Sequence, residues 1–280
     1  MPLSVSDSIR RRIEQFRRKQ RRHPNAKRLL VEGDSWFSFG HLMWLSKSLA
    51  GKLNDYKTVN LVTVANPGAE LEKIVETDNR DWGLANNPDW LRKETYDALL
   101  FSGGGNDIVG TELRNYLHTK SPARTGKQLI KKTVFEAQLN RMRSQYETLR
   151  QTVNTEFKSP NGQTVPIITH GYDYAHPSGE GFALLGGLVT LGPWILPNFI
   201  EKKIDILSEQ VEIINSLVDQ FNDLLQVLQH GRPNGIDGFY YIDLRGTLDR
   251  DDWSDELHPT AGGRDKLAAK LREEVVDILK

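Results

Sequence analysis

Ser35 is the residue around which chemistry can be assembled. It follows Gly33-Asp34, directly after the apolar run Leu29-Leu30-Val31. A serine hydroxyl is a useful nucleophile only when an imidazole removes its proton and a carboxylate orients that imidazole. Asp255-Glu256-Leu257-His258-Pro259 offers such a pair near the other end of the chain. Three residues apart on a loop or helical turn, Asp255 can reach Nδ1 of His258 and leave Nε2 free for a hydroxyl. Asp249, Asp251 and Asp252 crowd the same region, and the spacing favours Asp255. Acyl transfer also needs N–H donors aimed at the developing oxyanion. Asn66-Pro67-Gly68 and Gly104-Gly105-Asn106-Asp107 supply small-residue turns and an asparagine amide for that purpose. Singly, each block has an ordinary structural explanation: a serine N-cap, a Pro-Gly turn, a Gly-Asn turn, a chance Asp-x-x-His. Together, and in this order, they supply a nucleophile, oxyanion donors and an acid–base pair, a set worth more than any one member.

The elements that must position these residues alternate along the chain. Short apolar runs at Arg28–Glu32, Thr58–Val64, Asp97–Ser102, Val165–Thr169 and Phe239–Asp243 are predicted strands, Val/Ile/Leu-rich as strands buried on both faces should be. Helical periods fall near His41–Leu53, Ala69–Val75, Gln128–Thr155, 204–228 and Gly263–Leu279. Strand and helix in alternation predict an α/β fold with a parallel sheet covered on both faces. Ser35, Gly68, Asn106 and His170 all fall just past a predicted strand's C-terminal end, the edge at which open α/β sheets bind ligands. No internal repeat or linker divides the chain, so one domain spanning 28–280 is expected behind an N-terminal helix within 1–27, with an apolar insertion near 178–200.

The four blocks in this order resemble those of the SGNH hydrolases, the GDSL-type esterases and lipases. The resemblance implies a three-layer α/β/α sandwich, flavodoxin-like, with a five-stranded parallel sheet. It also implies Ser35 as nucleophile, His258 as general base and Asp255 as its orienting acid. The oxyanion hole would comprise the Ser35 backbone N–H, Gly68 or a neighbouring amide of that short block, and Asn106. The activity implied is serine ester hydrolysis through an acyl-enzyme, with no cofactor and no metal. Family members act on acyl esters, lipids, thioesters and acetylated sugars. An acyl ester or lipid is the favoured substrate; a sugar deacetylase, or a non-catalytic ligand- or membrane-binding module on the same fold, are the alternatives. Trp36-Phe37 after the serine is bulkier than in many members.

The rest of the sequence narrows the setting. The chain has 280 residues, formal net charge zero and no cysteine. That excludes disulfides, thiolate catalysis and Cys-ligated metals, and gives no global attraction to nucleic acid. The start of the chain lacks the apolar core of a signal peptide, and no segment has the roughly 18–20 unbroken apolar residues of a membrane span. The expectation is a soluble, cytoplasmic protein. Ser6–Arg22 reads as a basic amphipathic helix with Ile9, Ile13 and Phe16 on one face. A docked helix is favoured over peripheral contact with anionic lipid, because the apolar stripe is narrow. His170, Asp173 and His176 lack the spacing of a zinc helix. They belong instead to the predicted segment Thr169–Pro177, which is either a pocket rim, with Tyr172, Asp173 or His176 touching substrate, or a surface loop. Trp36 and Trp253 suggest an aromatic wall. Gly181–Ile200 is the most apolar stretch, read either as a lid presenting Leu184, Leu185, Leu188, Trp194 and Phe199 to an acyl chain or as a core-packed irregular helix pair.

Overall fold

The computed structural model describes residues 5–38, 47–75, 89–184 and 189–280. In chain order the elements are α1 (Val5–Arg22), β1 (Lys27–Gly33), α2 (Ser35–Ser38), α3 (Leu49–Leu53), β2 (Val59–Thr63), α4 (Leu71–Val75), α5 (Asp89–Arg92), β3 (Ala98–Ser102), α6 (Gly105–Ile108), α7 (Lys132–Glu156), β4 (Ile167–His170), β5 (Phe182–Leu184), β6 (Val189–Leu191), α8 (Leu196–Glu201), α9 (Leu207–Leu228), β7 (Phe239–Ile242) and α10 (Ala261–Ile278). Five strands form a parallel sheet in the order β2-β1-β3-β4-β7. Right-handed crossovers place the helices of leftward and rightward connections on opposite faces. Accordingly α7 packs with α4 and α9, while α10 packs with α3. The result is a three-layer α/β/α sandwich.

The strands form where the apolar runs predict them. β1, β2 and β3 are apolar on both faces because helices cover both, and residues such as Leu29, Val31, Leu99 and Leu100 have essentially no exposed surface. β4 begins at Ile167 rather than Val165. Pro166 has no N–H to donate, so it enters the ladder only as an acceptor, from Leu99 N at 2.8 Å. The helix expected from Gln128 starts at Lys132, after a separate 3₁₀ turn over Gly126–Leu129 whose Thr125 and Gln128 form a capping box. The period near His41–Leu53 lies partly outside the described residues; its described end is α3, capped by the Ser48 side chain. Gly181–Ile200 is not a helix pair. Its described parts are the antiparallel strands β5 and β6 followed by the start of α8. Leu185 and Leu188 lie outside the described residues.

Helix α1 is docked. Ile13 and Phe16 are buried, and Asn60 of edge strand β2 donates its side-chain amide to Phe16 O at 2.9 Å and Gln20 Oε1 at 2.8 Å. Arg12 reaches Thr63 O at 2.6 Å, so the helix lies along edge strand β2, and Ile13 and Phe16 of its apolar stripe are used internally.

Candidate active site

Connections leave β1 and β3 in opposite directions across the sheet, which opens a crevice between their C-terminal ends. Ser35 and the Gly104–Asp107 block sit on that crevice. Gly33 makes the turn into it: its φ is +146°, and a Cβ there would lie 2.1 Å from the Ser102 carbonyl oxygen of β3. Only glycine admits the neighbouring strand so closely. Ser35 then opens α2, with its backbone N–H in the first turn, where helices leave amides without an internal acceptor.

The loop after β7 brings His258 to this serine. His258 Nε2 is 3.0 Å from Ser35 Oγ, and Nδ1 is 3.0 Å from both carboxylate oxygens of Asp255. Asp255 Oδ1 also accepts the backbone N–H of Leu257 at 2.7 Å and of His258 at 2.8 Å. The carboxylate is therefore fixed by its own loop before it orients the ring. Asp255 and His258 are 2 % and 5 % exposed, so little water competes for their contact. The other aspartates are engaged elsewhere: Asp249 and Asp252 both pair with Lys266, at 2.8 and 2.6 Å, and Asp251 is exposed.

Asn106 and Ser35 line the same cleft. The Asn106 side-chain amide gives one hydrogen to Ala69 O at 2.9 Å, which holds the second block against the third. Gly68 is exposed with φ +73°, next to that acceptor but outside the cleft-lining residues. Asp107 braces the same junction by accepting Leu71 N, at the start of α4, at 2.9 Å. Burial pushes the Asp107 carboxyl up to about 6, against the lowering effect of that hydrogen bond.

The cleft walls are mainly apolar, built from Ile108, Val109, Val218, Phe221, Trp253 and Leu257, with Trp36 fixed by its indole N–H on Leu257 O at 3.1 Å. No Lys or Arg is among the described lining residues. Tyr172 and Asp173 also line it, and both are committed to protein partners. The Tyr172 hydroxyl donates to Asp34, whose other oxygen accepts Trp36 N at 3.0 Å and the Ser102 hydroxyl at 2.7 Å. Asp173 accepts the backbone N–H groups of Tyr174, Gly246 and Leu248 at 2.7 to 2.8 Å. His176 is half-buried and outside the cleft lining; burial and Arg250 hold its imidazole below the usual range. Trp194 is likewise absent from the lining, and its ring stands 5.3 Å from that of His258 at 78°. Phe199 is fully buried. His170 lies behind the nucleophile among Trp36, Phe37 and Tyr172, fully buried, with Nδ1 on Gly171 O at 2.7 Å. Among the described residues no group of His, Cys, Asp or Glu could hold a metal ion, and no helix is long and apolar enough to cross a membrane.

No protein-family model matches the sequence, and no curated protein is significantly similar to it. Solved structures do match. One aligns with a TM-score of 0.53 at 13 % identity, covering 91 % of this chain and 99 % of its own. Est24, a carbohydrate acetylesterase from Sinorhizobium meliloti, aligns at 0.49 and 13 % identity over 90 % of this chain and 99 % of its own. The M. smegmatis aryl esterase aligns at 0.47 and 15 % identity, again over 90 % and 99 %. The chain shares the overall fold of the first of these structures, in keeping with its three-layer α/β/α sandwich. At these identities the likeness concerns the fold, and function has to be argued from the site.

On this fold three residues matter that sequence reasoning passed over. Asp34 gathers the nucleophile turn, β3 and Tyr172 onto one carboxylate. Asp107 joins the second and third blocks. Glu256, inside the His258 loop, is fully buried and accepts four backbone N–H groups from the segment around β5 and β6. All three are acidic residues within or beside the blocks, and that was the available signal.

Proposed function

We propose that the protein is a serine ester hydrolase that works through an acyl-enzyme intermediate on an uncharged ester with an apolar acyl group. The observation carrying this reading is the Asp255–His258–Ser35 relay, with both links at 3.0 Å, opening on the cleft that also contains Asn106. In the first half-reaction His258 Nε2 takes the Ser35 proton as Oγ attacks the ester carbonyl. Asp255 holds the Nδ1–H tautomer and stabilises the imidazolium. The oxyanion accepts hydrogen bonds from the Ser35 backbone N–H, the second Asn106 amide hydrogen and an amide of the Gly68 turn. Collapse of the tetrahedral species expels the alcohol, which receives the proton from His258. In the second half-reaction His258 deprotonates water, which attacks the acyl carbon and releases the carboxylic acid and Ser35.

The cleft's chemistry supports the substrate class. Among the described residues its walls are apolar and carry no cation, and the carboxylates of Asp34 and Asp173 already have donors. An acyl chain of moderate length suits it better than a carboxylate- or phosphate-bearing group. The reading is tested with a p-nitrophenyl ester series from acetate to long acyl chains on wild type, Ser35→Ala and His258→Ala. The expected result is turnover in the wild type and losses on the order of 10⁴-fold or more in kcat for each variant. Absence of turnover at every chain length, together with no fluorophosphonate labelling of Ser35, would sink it.

A further inference from the structure

Glu256 sits between Asp255 and His258 and takes no part in the relay, yet its side chain is wholly buried. Oε1 accepts the N–H of Gly179 at 3.1 Å and of Leu196 at 3.0 Å. Oε2 accepts those of Trp194 and Ile195, each at 2.6 Å. Successive amides converging in this way form a concave nest for negative charge. The Glu256 backbone N–H adds a return bond to Glu180 O at 3.3 Å. The donors come from both bases of the β5–β6 pair, since Gly179 precedes it and Trp194 to Leu196 follow it. One carboxylate thus ties both ends of that hairpin to the loop carrying His258.

The tied ends place two aromatic rings against the imidazole. Trp194 stands 5.3 Å from the His258 ring at 78°, and Phe182 stands 6.5 Å away at 65°. Asn198 of α8 anchors the far side by donating to Gly110 O at 2.9 Å, in the loop beyond α6. His258 must satisfy Asp255 and Ser35 at the same time, which fixes both the tilt and the rotation of its ring. Contact with these two rings restricts that rotation.

We propose that Glu256 is a positioning residue for the hydrolysis, acting through Trp194 and Phe182 to hold His258 in register with Ser35. The inference rests on the serine hydrolase reading. The four donors require a carboxylate: a glutamine would turn its NH₂ toward two backbone N–H groups. A misplacement of about 1 Å at a catalytic group can cost on the order of 10²-fold in rate.

The experiment measures kcat and KM on p-nitrophenyl butyrate, and the rate of Ser35 phosphonylation, for wild type, Glu256→Gln, Trp194→Ala and the double variant, with folding followed by circular dichroism. Trp194→Ala removes the ring and leaves the backbone N–H that Glu256 uses. The expected result is a loss in kcat of about 10²-fold for Glu256→Gln, with KM within about threefold of wild type. Trp194→Ala should lose kcat in the same direction, and the double variant should be no worse than Glu256→Gln alone, because both act through one contact. A folded Glu256→Gln with wild-type kcat overturns the proposal, and so do single losses that multiply in the double variant. If Glu256→Gln does not fold, wild-type kcat in Trp194→Ala overturns it. A wild type that neither turns over nor labels at Ser35 is a failure of the hydrolase reading itself, and the proposal goes with it.

Discussion

Two buried carboxylates show how position decides chemistry at the residue scale. Asp255 accepts two backbone N–H groups and faces an imidazole, an arrangement in which every contact of the carboxylate is a donor and the ring is held by its Nδ1 edge. Asp255→Asn should keep the loop's geometry and lower kcat on the order of 10⁴-fold by losing the correct tautomer. Asp249→Ala, which touches only Lys266 and its own turn, should stay near wild type; steady-state kinetics of the two variants decide between them. Glu32, two residues before Asp34, has the opposite setting. It is 2 % exposed, one oxygen accepts Gly33 N at 2.8 Å and the other has no partner. Desolvation pushes its carboxyl from 4.5 up to about 8, against the lowering effect of the Gly33 hydrogen bond. A folded-state value above the unfolded one means that stability is fully present below about pH 4.5 and is lost as pH rises toward about 8. Glu32→Gln should therefore gain on the order of a few kcal/mol at pH 8 and almost nothing at pH 4.5, read from denaturant midpoints at the two values. An equal gain at both would show that Glu32 is not the titrating group.

Among the elements, α1 is the one whose role depends on what its apolar stripe touches. Eight of its eighteen residues are Arg or Lys, a composition that suits an anionic surface as well as a solvated face. Ile13 and Phe16 are 2 % and 3 % exposed, so nothing apolar on those turns is left to enter a bilayer. Phe16→Ala should cost about 3–5 kcal/mol of stability. It should also open residues 10–22 to trypsin, because those Arg and Lys side chains lose their fixed backbone. Unchanged thermal stability and unchanged cleavage would argue that the helix is not docked. The segment between β4 and α9 teaches the complementary lesson. Of the two readings its apolar composition allows, a lid or wall and a helix pair, the second is excluded: the described backbone is a two-stranded hairpin joined to a short helix and fastened by Glu256.

At the scale of the whole molecule, the cleft is where separate parts of the chain meet: α2, α6, α9, the loop after β4 and the loop carrying His258. Val109, half-buried on its wall, is a position where added volume need not disturb the core. Val109→Phe should lower kcat/KM for an octanoate ester at least about tenfold and leave the acetate ester within about twofold. A uniform fall across chain lengths would place the acyl group elsewhere. The sequence by itself determined the alternation of strand and helix, because the apolar runs report burial on one or both faces and Gly and Pro mark their ends. It also pointed to Ser35, Asn106, Asp255 and His258, because blocks at strand ends carry their own turn chemistry. The tertiary structure alone showed what engages the neighbouring aspartates, since Lys266 pairs with Asp249 and Asp252 across a distance that spacing does not encode. It decided that Tyr172 and Asp173 serve the protein's own hydrogen bonds, and that Glu256 holds a hairpin more than fifty residues distant in sequence. The physical reason is common to these cases. Local pattern fixes which backbone groups are satisfied within an element, while the partner of a buried side chain is set by what the sheet order brings alongside it.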